Sequence, residues 1–173
     1  MVQSRGLGDV YKRQLNILHQ DISRVGALDL KFYNKKFDND YNKQLKKHID
    51  KTKPVVFLMG LDEINFSTFE NAFVVYLGHH GDVSASIADI ILPTPAYTEK
   101  SSTYMNIEGR VIQTTKCHNP IGESKEEWKI FRVLSDLFNK NLNFNNLGEL
   151  RNELTSTYGQ FALLNDCLLY TSP

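Results

Sequence analysis

Two adjacent histidines and a nearby carboxylate come closest to a metal site in this sequence. His79, His80 and Asp82 follow an apolar run that ends at Gly78. Imidazole nitrogens and carboxylate oxygens suit zinc or iron. Adjacent residues of an extended segment point to opposite sides, however, so only one of the two histidines could join a given site. The spacing favours one histidine hydrogen-bonded to backbone at a sheet edge and the other facing solvent or a ligand cleft.

Motifs for nucleophilic catalysis and nucleotide binding are absent from the sequence. It contains neither a G-x-S-x-G elbow nor a defined Cys-His-Asp set, so Cys117 is expected to be a small buried residue. Cys117 and His118 are adjacent, so, as for the histidine pair, only one of them could join a given metal site. The turn at Gly60 offers one glycine where a phosphate-binding loop needs several. Glu126 and Glu127 resemble an acid-base pair, but their position predicts helix capping and interaction with the helix dipole.

Composition and charge exclude several classes of partner. The 173 residues are 41% hydrophobic, and 20 Lys and Arg balance 20 Asp and Glu. Without a net or local basic excess, we expect no nucleic acid partner. No apolar run reaches the roughly 18 residues that span a bilayer, and the start lacks a signal-peptide pattern, so we expect a soluble, unsecreted chain without direct membrane insertion. The two cysteines cannot form an iron-sulfur or structural zinc site unaided.

Three apolar runs rich in Val, Ile and Phe predict buried parallel strands. These are Pro54–Met59, Ala72–Leu77 and Ile90–Leu92. The Gly81–Asp89 segment leaves room for about two turns of helix between the last two. The pattern predicts an α/β fold with a doubly wound, mostly parallel sheet. Because such sheets bind ligands at the carboxyl ends of their strands, His79 and His80 lie where a ligand is expected.

Two helices are predicted before the first strand. Apolar residues at helical spacing indicate an amphipathic helix over Asn16–Val25, with Gly26 as its stop. The polar Lys31–Lys53 segment predicts a loop and then a solvated surface helix. That helix carries an apolar stripe of Tyr41, Leu45 and Ile49.

A β hairpin and C-terminal helices are predicted after the third strand. Ser101–Lys116 predicts two β segments or a hairpin, set around the turn-forming Glu108-Gly109. Ser124 begins a predicted capping box, and the helix after it is apolar on a surface too wide for one packing partner. That surface comprises Trp128, Ile130, Phe131, Val133, Leu137 and Phe138. Asn146 opens another helix, with a stripe of Leu147, Leu150 and Leu154.

The two ends of the chain can be back-translated into one inverted DNA repeat. Asp9–Gln14 and Cys167–Ser172 encode it, and it resembles the end of a transposon-derived sequencing adaptor. We interpret Met1–Gln14 and Cys167–Pro173 as translated adaptor and exclude both from fold reasoning. Leu15–Asp166 is then an internal fragment of a longer protein.

A long motif carries a family resemblance. The run GHHGDVSASIADIILPTPAYTEKSSTYMNIEGRVIQT, Gly78–Thr114, resembles the large iron-sulfur subunit of respiratory complex I, the proton-pumping NADH:quinone oxidoreductase. The resemblance covers nearly all of Leu15–Asp166, with Lys31–Lys53 poorly matched. It places this stretch in the C-terminal part of that subunit, a relative of molybdopterin oxidoreductases that generally lacks the molybdenum cofactor and serves as scaffold.

The resemblance implies that this fragment carries no catalytic, cofactor-binding or metal-binding residue. The family's 2Fe-2S and 4Fe-4S clusters are held by cysteines of an N-terminal part outside the fragment. The implied partners are other hydrophilic-arm subunits of complex I, on the cytoplasmic side of the bacterial inner membrane or the mitochondrial matrix side. Four residues depart from those frequent in relatives, and the last two put close copying of the backbone after the third strand in doubt. They are Ser84, Ser86, Thr94 and Pro95.

Two other functions stay open at this point. A molybdopterin-dependent oxidoreductase, such as a formate dehydrogenase relative, shares the A-D-x-x-L-P and E-K-x-x-T-x-x-N-x-E-x-R skeleton. The G-H-H-G-D and A-Y-T-E-K segments resemble the complex I branch instead. A free-standing interaction module is the third possibility.

The polar residues of the motif are predicted to be structural. Beyond His79, His80 and Asp82, they are Asp89, Glu99, Lys100, Asn106, Glu108 and Arg110. We expect the latter six to pair across the loop and hairpin that close the carboxyl edge of the sheet. The planar guanidinium of Arg110 would bind Glu108 or Glu99 through two parallel hydrogen bonds.

Overall fold

The computed structural model describes residues 3–4, 16–17, 24–32, 41–61, 65–81 and 83–164. Its strands and α-helices, in chain order, are β1 (Gln3–Ser4), β2 (Asn16–Ile17), α1 (Arg24–Asp29), α2 (Tyr41–Thr52), β3 (Val55–Met59), β4 (Phe73–Gly78), α3 (Val83–Ser86), β5 (Ile90–Pro93), β6 (Thr103–Met105), β7 (Val111–Gln113), α4 (Glu127–Leu137) and α5 (Leu147–Thr157). The chain divides into two compact units. The first comprises Met1–Asn34, Ser102–Thr114 and Phe144–Pro173, and the second comprises Lys35–Ser101 and Thr115–Asn143.

The second unit is built on the predicted parallel sheet. Its strands lie in the order β3-β4-β5, with β4 in the centre. The 3-10 turn Phe66–Thr68 lies in the connection between β3 and β4, and α3 lies in the connection between β4 and β5. This arrangement, with the following antiparallel hairpin and C-terminal helices, confirms the predicted α/β class.

One face of the sheet, which we call the core face, packs against these connections. Register places Val56 beside Val74 and Leu58 beside Tyr76 on this face. Leu58, Val74 and Tyr76 form a buried cluster. The partly buried side chains against it include Phe69 before β4 and Ile87 after α3. The chain's own crossovers therefore cover the centre of this face, while Ile91, beside Tyr76 on β5, is 52% exposed.

The opposite face, which we call the open face, is apolar but incompletely covered. On the central strand, Val75 and Leu77 are 6% and 1% exposed. The exposed fraction rises to 38–58% at the start of β4 and on the two outer strands, at Phe73, Phe57, Ile90, Met59 and Val55. The prediction of buried strands is thus wrong for β3 and β5. α4 contributes a contact at the edge of β3, where the Phe131 ring lies 5.5 Å from that of Phe57. The described part of the chain leaves the flanking side chains partly in solvent.

The predicted surface helix is confirmed as α2. Ile49 from its apolar stripe is buried, while its Lys and Asp residues are exposed or half-buried. The Lys46 ammonium donates to the carbonyl oxygen of Ser67. Asn71 donates a 2.9 Å hydrogen bond to Asp50. The helix is therefore fastened to the segment around the 3-10 turn.

The first unit contains the predicted hairpin, formed by β6 and β7. The Asn106 side-chain oxygen accepts hydrogen bonds from the backbone N–H groups of Glu108 and Arg110, both at 2.9 Å. Gly109 has a φ of 78°, a left-handed conformation that glycine adopts without a Cβ clash. Glu108-Gly109 therefore forms the turn, as the sequence predicts.

The core of the first unit joins the hairpin to both helices. Met105, Val111 and Phe161 are buried together, with partly buried side chains around them from α1, α5 and the residues that follow. Asn146 caps α5 as predicted, since its side-chain oxygen accepts from the backbone N–H of Glu149 at 2.9 Å.

The first predicted helix is wrong in its position. Asn16–Ile17 form a strand that pairs antiparallel with Gln3–Ser4, and the described helix spans Arg24–Asp29. Gly26 lies inside α1 instead of ending it. A Cβ at Gly26 would lie 3.6 Å from the Met105 Cβ, an ordinary packing distance, so α1 lies against β6 at this position. Residues 18–23 lie outside the described part of the chain.

The capping box before α4 is also wrong. The Ser124 hydroxyl donates to the Ile121 carbonyl oxygen at 2.9 Å, and α4 begins at Glu127. Glu126 occupies the N-cap but makes no capping hydrogen bond with its side chain. Its carboxylate accepts from the Trp128 indole N–H at 2.7 Å and pairs with Lys129 at 3.1 Å. A half-buried indole N–H needs an acceptor. The Glu126 carboxylate supplies it and therefore does not cap the helix.

Candidate functional site

A cavity of about 380 Å³ lies at the carboxyl ends of β4 and β5, where the sequence places the histidine pair. Parallel sheets bind ligands at this edge. Its lining comprises Gly78, His79, His80, Pro93, Thr94, Ala96, Glu99, Ile121 and Ser124. All of these residues belong to the second unit.

The histidine segment is held in place from the core face by Tyr76. The Tyr76 hydroxyl donates a 3.0 Å hydrogen bond to the carbonyl oxygen of His80. The phenol ring passes over Gly78, where any Cβ would overlap with it. Tyr76 is not among the predicted site residues. A tyrosine two positions before a glycine at the end of an apolar run is the signal that could have identified it.

The two histidine rings lie together at the cavity. Their centroids are 4.4 Å apart at 77°, and both residues are exposed. The prediction that they point to opposite sides, with one hydrogen-bonded at the sheet edge, is wrong. The reason is that the strand ends at Gly78 and the chain bends at His79 and His80, so the extended-strand alternation no longer applies.

The described residues do not bring a metal-binding cluster together. Among them, no group of three or more His, Cys, Asp and Glu side chains could hold a metal ion. Asp82, the carboxylate of the original motif, lies outside the described residues. His118 contacts the Asn119 carbonyl oxygen through Nδ1 at 2.6 Å.

Cys117 is exposed, so the prediction that it is buried is wrong. Its backbone N–H donates to the Thr98 carbonyl oxygen at 2.8 Å, which holds it in a loop on the surface. The loop is fixed through backbone groups, and the thiol is left outside the core.

Backbone hydrogen bonds shape the other wall of the cavity. The backbone N–H of Thr94, a residue only 4% exposed, donates to the Gly78 carbonyl oxygen at 3.0 Å. The Glu99 carboxylate accepts from the Ala96 N–H at 3.1 Å and closes a local turn. The Lys125 N–H donates to the Pro93 carbonyl oxygen at 3.1 Å. The Glu99 carboxylate therefore stabilises the backbone of its own loop.

Asp89 and Lys100 link separate elements of the second unit. The Asp89 carboxylate accepts from the Val74 N–H at 2.7 Å, and the Asp89 N–H donates to the Val74 carbonyl oxygen at 2.8 Å. Lys100 pairs with Glu127 of α4 at 2.5 Å, with side chains 21% and 25% exposed. These contacts join the start of β5 to β4, and the loop after β5 to α4.

Arg110 does not form the predicted ion pair with a carboxylate of the described chain. Its Nε is buried and has no hydrogen-bond partner among the described residues. The hairpin is held instead by Asn106, which binds two turn N–H groups and donates its own N–H to the Arg110 carbonyl oxygen at 3.0 Å. A neutral amide oxygen can accept both turn N–H groups, so the turn closes without the guanidinium.

Comparison with known proteins identifies the family of this chain. The family model described as molybdopterin oxidoreductase matches residues 4–137, which include the parallel sheet, the cavity, the hairpin and α4. This chain belongs to the molybdopterin oxidoreductase family.

Several relatives of the chain are named as subunits of an NADH-ubiquinone or NADH-quinone oxidoreductase. The chain is 42% identical over 146 residues to the NADH-ubiquinone oxidoreductase 75 kDa subunit of Reclinomonas americana, covering 82% of this chain and 20% of the relative. It is 46% identical over 138 residues to the mitochondrial 78 kDa subunit of Candida albicans, covering 79% and 18%. An NADH-quinone oxidoreductase subunit of Rickettsia bellii is 40% identical over 147 residues, covering 85% and 20%. These matches confirm the resemblance, and the chain spans about a fifth of the length of these relatives.

The family description implies a molybdopterin group, and the cavity does not fit one. Among the described residues, no Lys or Arg lines it to pair with the cofactor's phosphate. The Glu99 carboxylate lies in the lining, where it would repel that phosphate. The one cysteine that the structure describes, Cys117, is not among the lining residues.

None of the helices in the described part of the chain combines the length and the apolar character that crossing a bilayer requires.

Proposed function

We propose that this chain is a scaffold part of the large subunit of a proton-pumping NADH:quinone oxidoreductase, without a redox centre on its own residues. The similarity to NADH-ubiquinone and NADH-quinone oxidoreductase subunits over most of the chain carries this proposal. The site geometry supports it, because Tyr76, Asp89, Glu99, Lys100 and Asn106 are engaged in holding backbone and loops.

The finer parts of the proposal concern the whole assembly. The 2Fe-2S and 4Fe-4S clusters would be carried by cysteines elsewhere in the longer subunit. The partners would be other hydrophilic-arm subunits. The arm would face the cytoplasm in a bacterium or the matrix in a mitochondrion. A balanced formal charge and the absence of a long basic block agree with protein partners instead of nucleic acid.

We also propose that Met1–Gln14 and Cys167–Pro173 are translated adaptor and do not belong to the natural protein. The shared inverted repeat supports this interpretation. A chain cut to Leu15–Asp166 should then keep the thermal unfolding midpoint of the 173-residue chain. A clear fall in that midpoint would show that the excluded ends contribute to the fold.

Replacement in a relative tests the scaffold function. The matching stretch of the Candida albicans 78 kDa subunit would be exchanged for residues 15–166, and assembly would be followed on native gels together with NADH oxidation by membranes. We expect the chimera to assemble and oxidise NADH. A matched chimera with Asp89→Ala, which removes the side-chain hydrogen bond from the start of β5 to the Val74 N–H of β4, should assemble less well.

Metal analysis tests the proposed absence of a redox centre. The purified 173-residue chain, expressed with iron and molybdate supplied, should contain neither metal in stoichiometric amount and should show no visible absorbance. Stoichiometric molybdenum would instead assign the chain to a molybdopterin-dependent enzyme. Stoichiometric iron would place a cluster on the chain itself.

A further inference from the structure

The open face of the parallel sheet has the composition of a protein interior. Register places eight positions on it, two of them buried on β4. Every one is Val, Ile, Leu, Met or Phe: Val55, Phe57, Met59, Phe73, Val75, Leu77, Ile90 and Leu92. No polar or charged side chain interrupts this surface.

Coverage of the open face within the chain is partial. The Phe131 ring of α4 contacts Phe57, but the residues at the corners of the face stay about half exposed. Val133 and Leu137 on α4 are also exposed, at 61% and 71%. Parallel sheets occur almost only with both faces covered, because their strands are apolar on both sides. The described part of the chain covers the centre of the core face, although Ile91 at its β5 edge is 52% exposed.

We infer that the open face is covered by another segment of the same, longer polypeptide, and that it is not a docking surface for a separate subunit. This inference rests on the proposed function. The chain spans 18 to 20% of the three relatives described above, so a polypeptide of their length would carry several further segments. The occupant would present an apolar helix or layer to β3 and β5.

The chemistry of the face favours the same polypeptide over a separate partner. Interfaces between proteins that fold separately and associate reversibly are about as polar as the rest of the protein surface, with Tyr, Trp, Phe, Met and Arg enriched. The open face contains Phe57, Phe73 and Met59 but no polar or charged side chain. Uniform aliphatic and Phe composition is typical of packing inside one domain.

Cysteine labelling can measure what covers the face. In a background with Cys117→Ser and Cys167→Ser, Met59→Cys places one thiol on the open face. Lys51→Cys on exposed α2 is the matched control. Three samples would be compared: the 173-residue chain alone, the Candida albicans chimeric subunit purified without other subunits, and the assembled complex. Val55→Cys, at the other end of β3, is a second probe should Met59→Cys impair folding.

We expect the Met59→Cys thiol to react readily in the chain alone and at least about tenfold more slowly in the isolated chimeric subunit. The control thiol should react equally in both. Protection that arises only in the assembled complex would assign the face to a separate subunit and overturn the inference. Rapid labelling in all samples would also overturn it, as would protection in the chain alone together with a dimer in light scattering.

The outcomes separate this inference from the proposed function. An isolated chimeric subunit with a protected thiol that fails to assemble would contradict the scaffold function and support the inference. A chimera that assembles and oxidises NADH while the thiol stays reactive would do the reverse.

Discussion

The Tyr76 hydroxyl donates a hydrogen bond to the His80 carbonyl oxygen, four residues further along the chain, at 3.0 Å. This contact turns the chain back over the end of the central strand. It sets both histidines at the cavity and requires glycine at position 78. The histidine segment thus depends on a residue buried in the core face.

Removal of this hydroxyl should loosen the histidine segment. Tyr76→Phe leaves the His80 carbonyl without its partner and should lower the free energy of unfolding by about 1 kcal/mol, measured by urea denaturation. Tyr104→Phe is the control, because no side-chain hydrogen bond of Tyr104 is present among the described residues. Equal stabilities of the two variants would show that the Tyr76 contact does not stabilise the fold.

A side chain at position 78 should clash with the Tyr76 ring. Gly78→Ala is expected to destabilise the protein by about 1–3 kcal/mol, because the phenol must move within a packed core. Gly81→Ala is the control, since open space surrounds that position. Thermal unfolding followed by circular dichroism measures both. A harmless Gly78→Ala would mean that Tyr76 moves aside freely.

Removal of the Asp89 carboxylate should destabilise the β4 backbone, because that carboxylate accepts a hydrogen bond from the Val74 N–H. In Asp89→Ala the N–H of Val74, a residue only 2% exposed, loses its acceptor, and we expect a loss of about 1–3 kcal/mol. Asp50→Ala, which removes an exposed hydrogen bond with Asn71, should cost less. Amide hydrogen exchange at Val74 should also accelerate in the Asp89 variant alone. Unchanged exchange there would contradict the contact.

The unfolding free energies lost on removing Lys100 and on removing Glu127 should not be additive, because the two side chains form an ion pair. Each single change, Lys100→Met or Glu127→Gln, leaves one partly buried charge unpaired and should cost about 1 kcal/mol. The double variant should lose less than the sum of the two. Arg132→Met and Asp136→Asn form the comparison cycle, because Asp136 is more exposed. Additive losses at Lys100 and Glu127 would show that the pair contributes no coupling energy.

Local patterns in the sequence were sufficient for most of the secondary structure. Apolar runs predicted β3, β4 and β5, and Glu108-Gly109 predicted the hairpin turn. Asn146 marked the start of α5. These features depend on neighbours within a few residues, so a linear pattern contains them. The family resemblance rests likewise on local motifs, and the comparisons confirm it.

Only tertiary structure decided which groups meet. The contact between the His79 and His80 rings depends on a bend after β4, and the exposure of Cys117 depends on how its loop lies on the surface. Glu126 binds Trp128 because folding half-buries an indole that needs an acceptor. The apolar runs specified strands, but how much of β3 and β5 is covered depends on α4 and on the rest of the fold. Burial and partner choice arise from residues distant in sequence, and a linear pattern contains no such distances.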